Sequence, residues 1–469
     1  YADPRTGTTS LEGGTLYTTE LRPVTGPGLP PTGSRQAFHV AEAGGPVLIN
    51  PFADPDAVNL DTVSRTGGRV LNGGRVVRNI PMKLQLSTPS YNRVRVLMDA
   101  VNTVFPREPK QLDETAHGES DETIKITVPP SYRDRPQEFV ELLMHTSIYQ
   151  AGAEATAMST KRLLLANPGS AQDASWRWEA LGKRVIPVIQ DLYDFSEELP
   201  RMAALRAGAR LNDALVVPPL IEMANSASLD TRLRAIRLLE DAGFNPRIDL
   251  ALREMLDDDA VDVRLAAYEA LITRNDPLMR HYDVNGRFML DIIPSRIPMI
   301  YVTQTGEPRI AVFGTGLEIP RPILAEAWSG RFMIRGQADN PNLEVYYRAA
   351  DAPQGLIQLV GPKLDEFIVF LGHRASADEP KPGLDMSYGQ VVGILHRLWR
   401  DKHLAVDFKA EQDRVLAAIL RREKDVAITE RPEFGDERSD PDFDFLDPNA
   451  GGPPSGDLGS IEMPPLPSR

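Results

Sequence analysis

The chain has 469 residues, 42% of them hydrophobic and 25% charged, enough apolar mass for two to four domains of about 100–200 residues each. Acids outnumber bases 66 to 52, a net charge of −14, which argues against a nucleic-acid or anionic-membrane binder because phosphate contacts need a basic face. There is no cysteine, so disulfides, thiolate nucleophiles and cysteine-held metals are excluded, and no apolar run reaches the ~18–20 residues of a membrane span.

Residues 1–60 are rich in Gly, Pro and Thr. Leu16, Thr18 and Glu20 alternate with Tyr17, Thr19 and Leu21, and Phe38–Val40 and Val47–Ile49 are further strand candidates. Met82, Leu84 and Leu86 predict a half-buried strand. Thr88 with Pro89 is the expected start of a helix carrying Val94, Leu97, Met98, Val101 and Phe105. A polar loop, His117–Ser120, leads to a strand of Ile124, Ile126 and Val128. Asp134 with Gln137 resembles a capping box for a helix lined by Phe139, Leu142 and Leu143. The order is β-α-β-α, for which a right-handed crossover is expected.

From about 175 the pattern becomes helical. Asp230-Thr-Arg232-Leu233-Arg-Ala235 aligns with Asp262-Val-Arg264-Leu265-Ala-Ala267 at an offset of 32 residues, and each follows an amphipathic segment, Leu215–Met223 or Ile248–Leu256. A weaker copy lies at Arg201–Gly208. This period is that of a helical solenoid, and the motif resembles HEAT repeats. After Tyr282 the period returns to two, with strands expected at Phe288–Ile293, Met299–Thr303, Arg309–Phe313, Arg331–Arg335, Leu343–Tyr347, Leu356–Val360 and Glu366–Leu371. Thr305-Gly306 marks a hairpin, and Ser387-x-x-Gln390 caps a helix with Val391, Ile394, Leu395 and Leu398 on one face. A last helix is expected at Gln412–Arg422. Asp425–Arg469 has eleven acids, three bases and eight prolines, a charge of −8, and should be disordered.

Candidate chemistry is sparse. His396 and His403, near Asp401 and Asp407, are the nearest approach to a metal cluster, and two histidines do not make a site. Gly314-Thr315-Gly316 reads as a strand-to-loop turn, and Gly67-Gly68 and Gly73-Gly74 around Asn72 as tight turns, because no helix follows to complete a phosphate cradle. Asp257-Asp258-Asp259 reads as a solvated inter-helix turn, and Trp176 and Trp178 as core. No nucleophile, base and oxyanion site assemble, so no catalytic, cofactor-binding or metal residue is assigned and no cofactor is implied. A KH-like nucleic-acid unit would need Gly-x-x-Gly between helices, and 89–147 contains none.

One block carries a resemblance. Ser10-Leu11-Glu12-Gly13-Gly14-Thr15-Leu16-Tyr17-Thr18-Thr19-Glu20-Leu21 resembles the S-L-x-G-G-x-L-x-x-T-x-L stretch of flagellar basal-body P-ring proteins. Gly68-Arg69-Val70-Leu71-Asn72-Gly73-Gly74 with Val76, Val77 and Ile80-Pro81 is similar to that family's G-R-[IV]-x-N-G turn and following strand. Leu84-Gln-Leu86-Ser-Thr-Pro89 and Ala100-Val101-Asn102 resemble its L-x-L-x-x-P and A-I-N segments, and Ile124–Pro129 with Phe139, Leu142 and Leu143 its next strand and helix. The likeness spans roughly 8–149; beyond it the family should continue in strands, where this chain turns helical.

The resemblance implies a non-catalytic structural subunit in the periplasm, at the flagellar basal body, although no secretory signal is visible. It implies a homo-oligomeric ring whose partners are the rod and outer-ring proteins, with peptidoglycan as a further contact, and no nucleic acid or transmembrane segment. The self-association surface is expected in 8–149, at the Asn72–Arg75 turn and the edges of Met82–Leu86 and Ile124–Val128. The competing reading is an adaptor whose helical array grips a protein partner. The expected fold is α+β and multidomain: a β-rich N-terminal region with a β-α-β-α unit (1–165), a short HEAT-like α-solenoid (175–280), an antiparallel strand-rich C-terminal domain with helices (281–424), and a disordered acidic tail (425–469).

Overall fold

The structure, a computed structural model, describes residues 7–8, 10–11, 13–22, 39–50, 65–78, 82–148, 152–328, 330–349, 352–377 and 379–411. The expected helix Gln412–Arg422, the acidic tail and Phe38 lie outside these residues.

The first sheet has the order β1-β2-β3, from β1 (Thr15–Leu21), β2 (Ala41–Pro46) and β3 (Gly74–Val76). The strand β2 lies between the two runs expected from hydrophobicity. His39 and Val40 precede it, and Val47–Ile49 is reduced to a bridge between Leu48 and Arg69. Its sequence, AEAGGP, has no strand pattern. Pairing rests on close backbone approach instead: a Cβ on Gly44 would stand 3.1 Å from Thr18 Cα.

The second unit runs β4 (Met82–Gln85), α1 (Tyr91–Val104), β5 (Ala116–Gly118), β6 (Thr123–Ile126) and α2 (Pro136–Met144). The expected loop at His117 is therefore half of a short hairpin. Both β4 and β5 pair antiparallel with β6 in the order β4-β6-β5, so the expected right-handed crossover does not occur. Ser90, not Thr88, caps α1, its Oγ accepting from Arg93 N. Asp134 and Gln137 form no capping box; Arg135 precedes Pro136 at the start of α2, with no side-chain cap. Val94, Val101, Phe105, Ile124, Ile126, Phe139 and Leu142 make the core, with Phe105 edge-on to Phe139 at 5.0 Å.

The run of consecutive helices begins at Ala153, earlier than the expected 175: α3 (Ala153–Ala166), α4 (Ala171–Leu181), α5 (Ile186–Ile189), α6 (Glu198–Arg210), α7 (Val217–Ala224), α8 (Leu229–Asp241), α9 (Pro246–Met255) and α10 (Val261–Thr273). Packing runs from α4 to α6, α6 to α8 and α8 to α10, with α7 on α8 and α9 on α10. The residues repeated at the 32-residue offset do the joining. Arg232 donates to Ala224 O and to Asp258 ahead of α10. Arg264, 3% exposed, donates to Asp258 O and reaches Met299 Sδ in the next sheet. Asp230 instead pairs with Arg234 on its own helix. Arg274 donates to the carbonyls of Leu239, Ala242 and Gly243 at the end of α8 and to Asp249, where a cation is favoured by the helix dipole.

Next come β7 (Arg280–Val284), β8 (Phe288–Ile293), β9 (Met299–Val302), β10 (Arg309–Phe313), β11 (Ile323–Ala327), β12 (Phe332–Gly336), β13 (Leu343–Tyr347), β14 (Leu356–Val360), α11 (Leu364–Gly372), α12 (Tyr388–Arg400) and β15 (Asp407–Ala410). Sheet β11-β12-β13-β14 is wholly antiparallel. Sheet β15-β9-β10-β8-β7 contains two parallel pairs, β10 with β8 and β15 with β9. The hairpin at Gly306 is present, with φ +62° there, and Ser387 with Gln390 forms the expected capping box. Glu366–Leu371, expected as a strand, is helix α11. Leu364, Phe367, Ile368 and Leu371 are all buried at helical spacing, and a short apolar run does not separate the two periods by itself. Two cores sandwich the five-stranded sheet. Met299, Tyr301, Ala311 and Phe313 pack with the helices of the array, while Ile300, Val302, Ile310 and Val312 pack with α11, α12 and the four-stranded sheet.

Candidate functional site

The turn Leu71–Gly74 is built as its residue types require. Asn72 has φ +49°, in the left-handed region that Asn tolerates. Gly73 accepts no side chain: a Cβ there would lie 2.2 Å from Val70 Cγ1 and 2.7 Å from Gly44 O. Its carbonyl accepts from Gly44 N at 2.9 Å, which fastens the turn to β2. Asn72 and Arg75 are exposed, and Arg75 pairs with Glu42 at 2.9 Å.

Asn102, inside the A-I-N-like segment, has a definite structural task. Its Nδ2 donates to Ala116 O at 3.0 Å and its Oδ1 accepts from Ala116 N at 2.8 Å, pinning β5 to α1. The β4-β6-β5 face away from the core carries Lys83, Lys125 and His117 in one register row. Lys83 reaches Glu119 at 2.5 Å and Lys125 reaches Asp113 at 3.2 Å. The hydrogen bond from Lys83 holds the Glu119 carboxyl below its usual range.

All seven residues of β1 are exposed, Tyr17 at 86%. The sequence pattern here predicted a strand and gave no signal of this exposure. Beside the sheet a cleft of about 870 Å3 is lined by Val76, Arg78, Met82, Leu112, Ile126 and Val128 among others. Leu112 is 89% exposed at its rim.

No chemical centre emerges from the histidines and acids. Among the described residues no group of three or more His, Asp or Glu could hold a metal ion. His396 packs against Trp399 and Phe408, and burial pushes it down to about 4, so it is a neutral core residue at ordinary pH. The aspartate triplet is more than a solvated turn. Asp257 accepts from the backbone and side chain of Arg296 and from Ser295, and Asp258 receives Arg232, so the loop staples the array to the sheet. The fully buried Asp291 accepts from Tyr268 Oη at 2.5 Å and Arg309 at 2.7 Å, and bonds His281 Nδ1 at 2.7 Å. Burial pushes the Tyr268 hydroxyl well above its usual range. This is a junction between α10 and the sheet that sequence spacing did not reveal.

A third junction joins α2 to the array. Arg210 bridges Glu138 at 2.9 Å and Asp241 at 3.2 Å, Arg206 stacks over Trp176 at 3.9 Å, and Glu179 has a buried Oε2 without a hydrogen-bond partner. Burial pushes Glu179 up to about 7, with Glu138 and Asp241 adding to the rise and Arg210 opposing it. Trp178, fully buried, donates to Ala157 O, and Trp176 joins the core of the second unit, as their reading as core residues expects.

Residues 6–161 match the family described as Flagellar P-ring protein, about a third of the 469-residue chain and nearly the same segment as the resemblance read from the motifs. The match does not extend into α4–α10. No curated protein matches the chain. Among the described residues no helix is long and apolar enough to cross a membrane.

Proposed function

We propose that this chain is a structural, non-catalytic subunit of a flagellar basal-body ring. It acts in the periplasm, closes with further copies around the rod, and supports motility. The single observation that carries this reading is the match to the P-ring family over residues 6–161, the segment that holds β1, every residue of which is exposed. Rod and outer-ring proteins and peptidoglycan are the proposed contacts of the assembled ring. Identical subunits joined through two different patches generate rings when the rotation closes.

The adaptor reading keeps one observation of its own. Phe244, in the loop between α8 and α9, is 89% exposed, and an exposed aromatic is a frequent binding anchor. Deleting the gene in its source cells separates the two. The ring reading expects loss of swimming with recovery of the chain from the periplasmic fraction of wild-type cells. Unimpaired swimming, or recovery from the cytosol, would refute it and favour the adaptor.

A further inference from the structure

Among the described residues, the sheet β1-β2-β3 is open along both edges and poorly covered on its faces. All seven residues of β1 and all three of β3 are exposed, and none of β2 is buried. Three strands without a packed face are marginal on their own, and an open edge presents unpaired N–H and C=O groups to a further strand. The apolar side chains lie toward the edges: Leu16 and Leu21 beside Tyr17 on β1, and Val76 and Val77 at the β3 side, next to the cleft.

Three features match one edge to the other. A bulge at Tyr17–Thr18 sets two β1 residues against Gly44 and leaves Thr19–Leu21 as the regular stretch beyond it, three residues long. The strand β3, Gly74–Val76, is also three residues long. The central residue of each stretch is charged, Glu20 on β1 and Arg75 on β3. In the sheet register Glu20 faces Glu42 and Glu42 faces Arg75; Arg22 pairs with Glu20 at 3.1 Å and Arg75 with Glu42 at 2.9 Å, and Arg75 ends the row with its outer side open to a second carboxylate. A Glu20 from outside would complete that row. Finally, β1 and β3 both run antiparallel to β2, so they run parallel to one another. A ring of many copies turns each subunit by a small angle, which preserves strand direction from copy to copy.

We infer, resting on the ring reading above, that neighbouring copies of this chain join by parallel pairing of Thr19–Leu21 of one copy with Gly74–Val76 of the next, Glu20 meeting Arg75 and Leu21 meeting Val76. The two edges lie on opposite sides of β2, so the contact is heterologous and propagates around a ring. Pairing of β1 with β1 would instead be antiparallel and would stop at a two-fold dimer.

The chain contains no cysteine, so introduced thiols report on this contact alone. Thr19 is exposed, and a Cβ on Gly74 would meet nothing within 4 Å. The full-length chain is produced as Thr19→Cys, Gly74→Cys and the double variant, then oxidised in periplasm-bearing cells and as purified protein. The double variant is expected to give a thiol-reversible ladder of dimers, trimers and larger species. Each single variant gives no cross-linked species under denaturing conditions, and a mixture of the two singles cross-links no further than dimers. Dimers from Thr19→Cys alone would overturn the proposal in favour of a two-fold contact. Absence of cross-links from the double variant while wild-type protein forms rings by electron microscopy would overturn the proposal and leave the ring reading intact. Absence of rings from wild-type cells and wild-type protein alike would remove both.

Discussion

Replacing Glu179 by Gln should stabilise the protein, and only at neutral to alkaline pH. The carboxylate sits where α4 meets α2 and α6, with Oε2 buried and unbonded. The guanidinium that opposes the rise most is committed elsewhere, since Arg210 bridges Glu138 and Asp241. A glutamate that titrates at about 7 rather than its ordinary 4.5 costs the folded state at most ~3 kcal/mol when ionised. Solvent on its open side trims this to on the order of 2 kcal/mol. The sign follows from the protons bound. Between pH 4.5 and about 7 the folded chain holds this proton and the unfolded chain has shed it, so stability falls as pH rises through that window and levels off above it. The Gln side chain does not titrate, so the variant lacks this loss. Urea unfolding followed by tryptophan fluorescence reports directly, because Trp176 and Trp178 lie on the same helix. Wild type and variant should differ little near pH 4.5, and the variant should be about 2 kcal/mol more stable at pH 8. Parallel stability curves across that range, or a variant weaker at pH 8, would refute the reasoning.

Asp291→Asn should cost about 3–5 kcal/mol because it strips the charge from a buried group that Arg309 and Tyr268 address, whereas Tyr268→Phe should cost about 1–2 kcal/mol; denaturant midpoints check both, and equal small effects would show that the junction is not a bonded network. Cleaving the chain between Arg274 and Asp276 should give two insoluble halves, since Ile293, Met299, Tyr301 and Phe313 share one core with the helices; two soluble, cooperatively melting halves would contradict this. The double change Asn72→Lys with Arg75→Glu alters exposed residues, and Lys at the left-handed φ of position 72 costs about 1–2 kcal/mol, so the protein should remain folded and exported yet fail to assemble, with swimming halos reduced to those of the deletion strain; normal rings and motility would remove this turn from the interface.

Legibility in the sequence followed the physics of each element. Strands β8, β10, β13 and β14 were readable to the residue, because each is a short β-branched or aromatic run bounded by turn residues. The α12 capping box was readable because its two partners are three residues apart. Strand β2 was hidden, since AEAGGP pairs through backbone approach at glycine and not through side-chain pattern. The β5 strand was hidden for a related reason: three residues held by Asn102 fourteen positions away. Helix α11 looks like a strand in the sequence because Phe367–Leu371 is apolar at every position, and only burial at i, i+3, i+4 and i+7 resolves it. The candidate surface was half legible. The Asn72–Gly73 turn and the P-ring likeness stand in the residues themselves. The exposure of β1 does not, because its residues predict a strand and say nothing of what lies against it, and no described element covers it.

Electron cryotomography of basal bodies in source cells tests most directly whether this chain is a ring subunit. Deleting the gene should remove the periplasmic ring density around the rod, and the full-length chain supplied in trans should restore it with the wild-type diameter. An unchanged ring in the deletion strain would contradict the account.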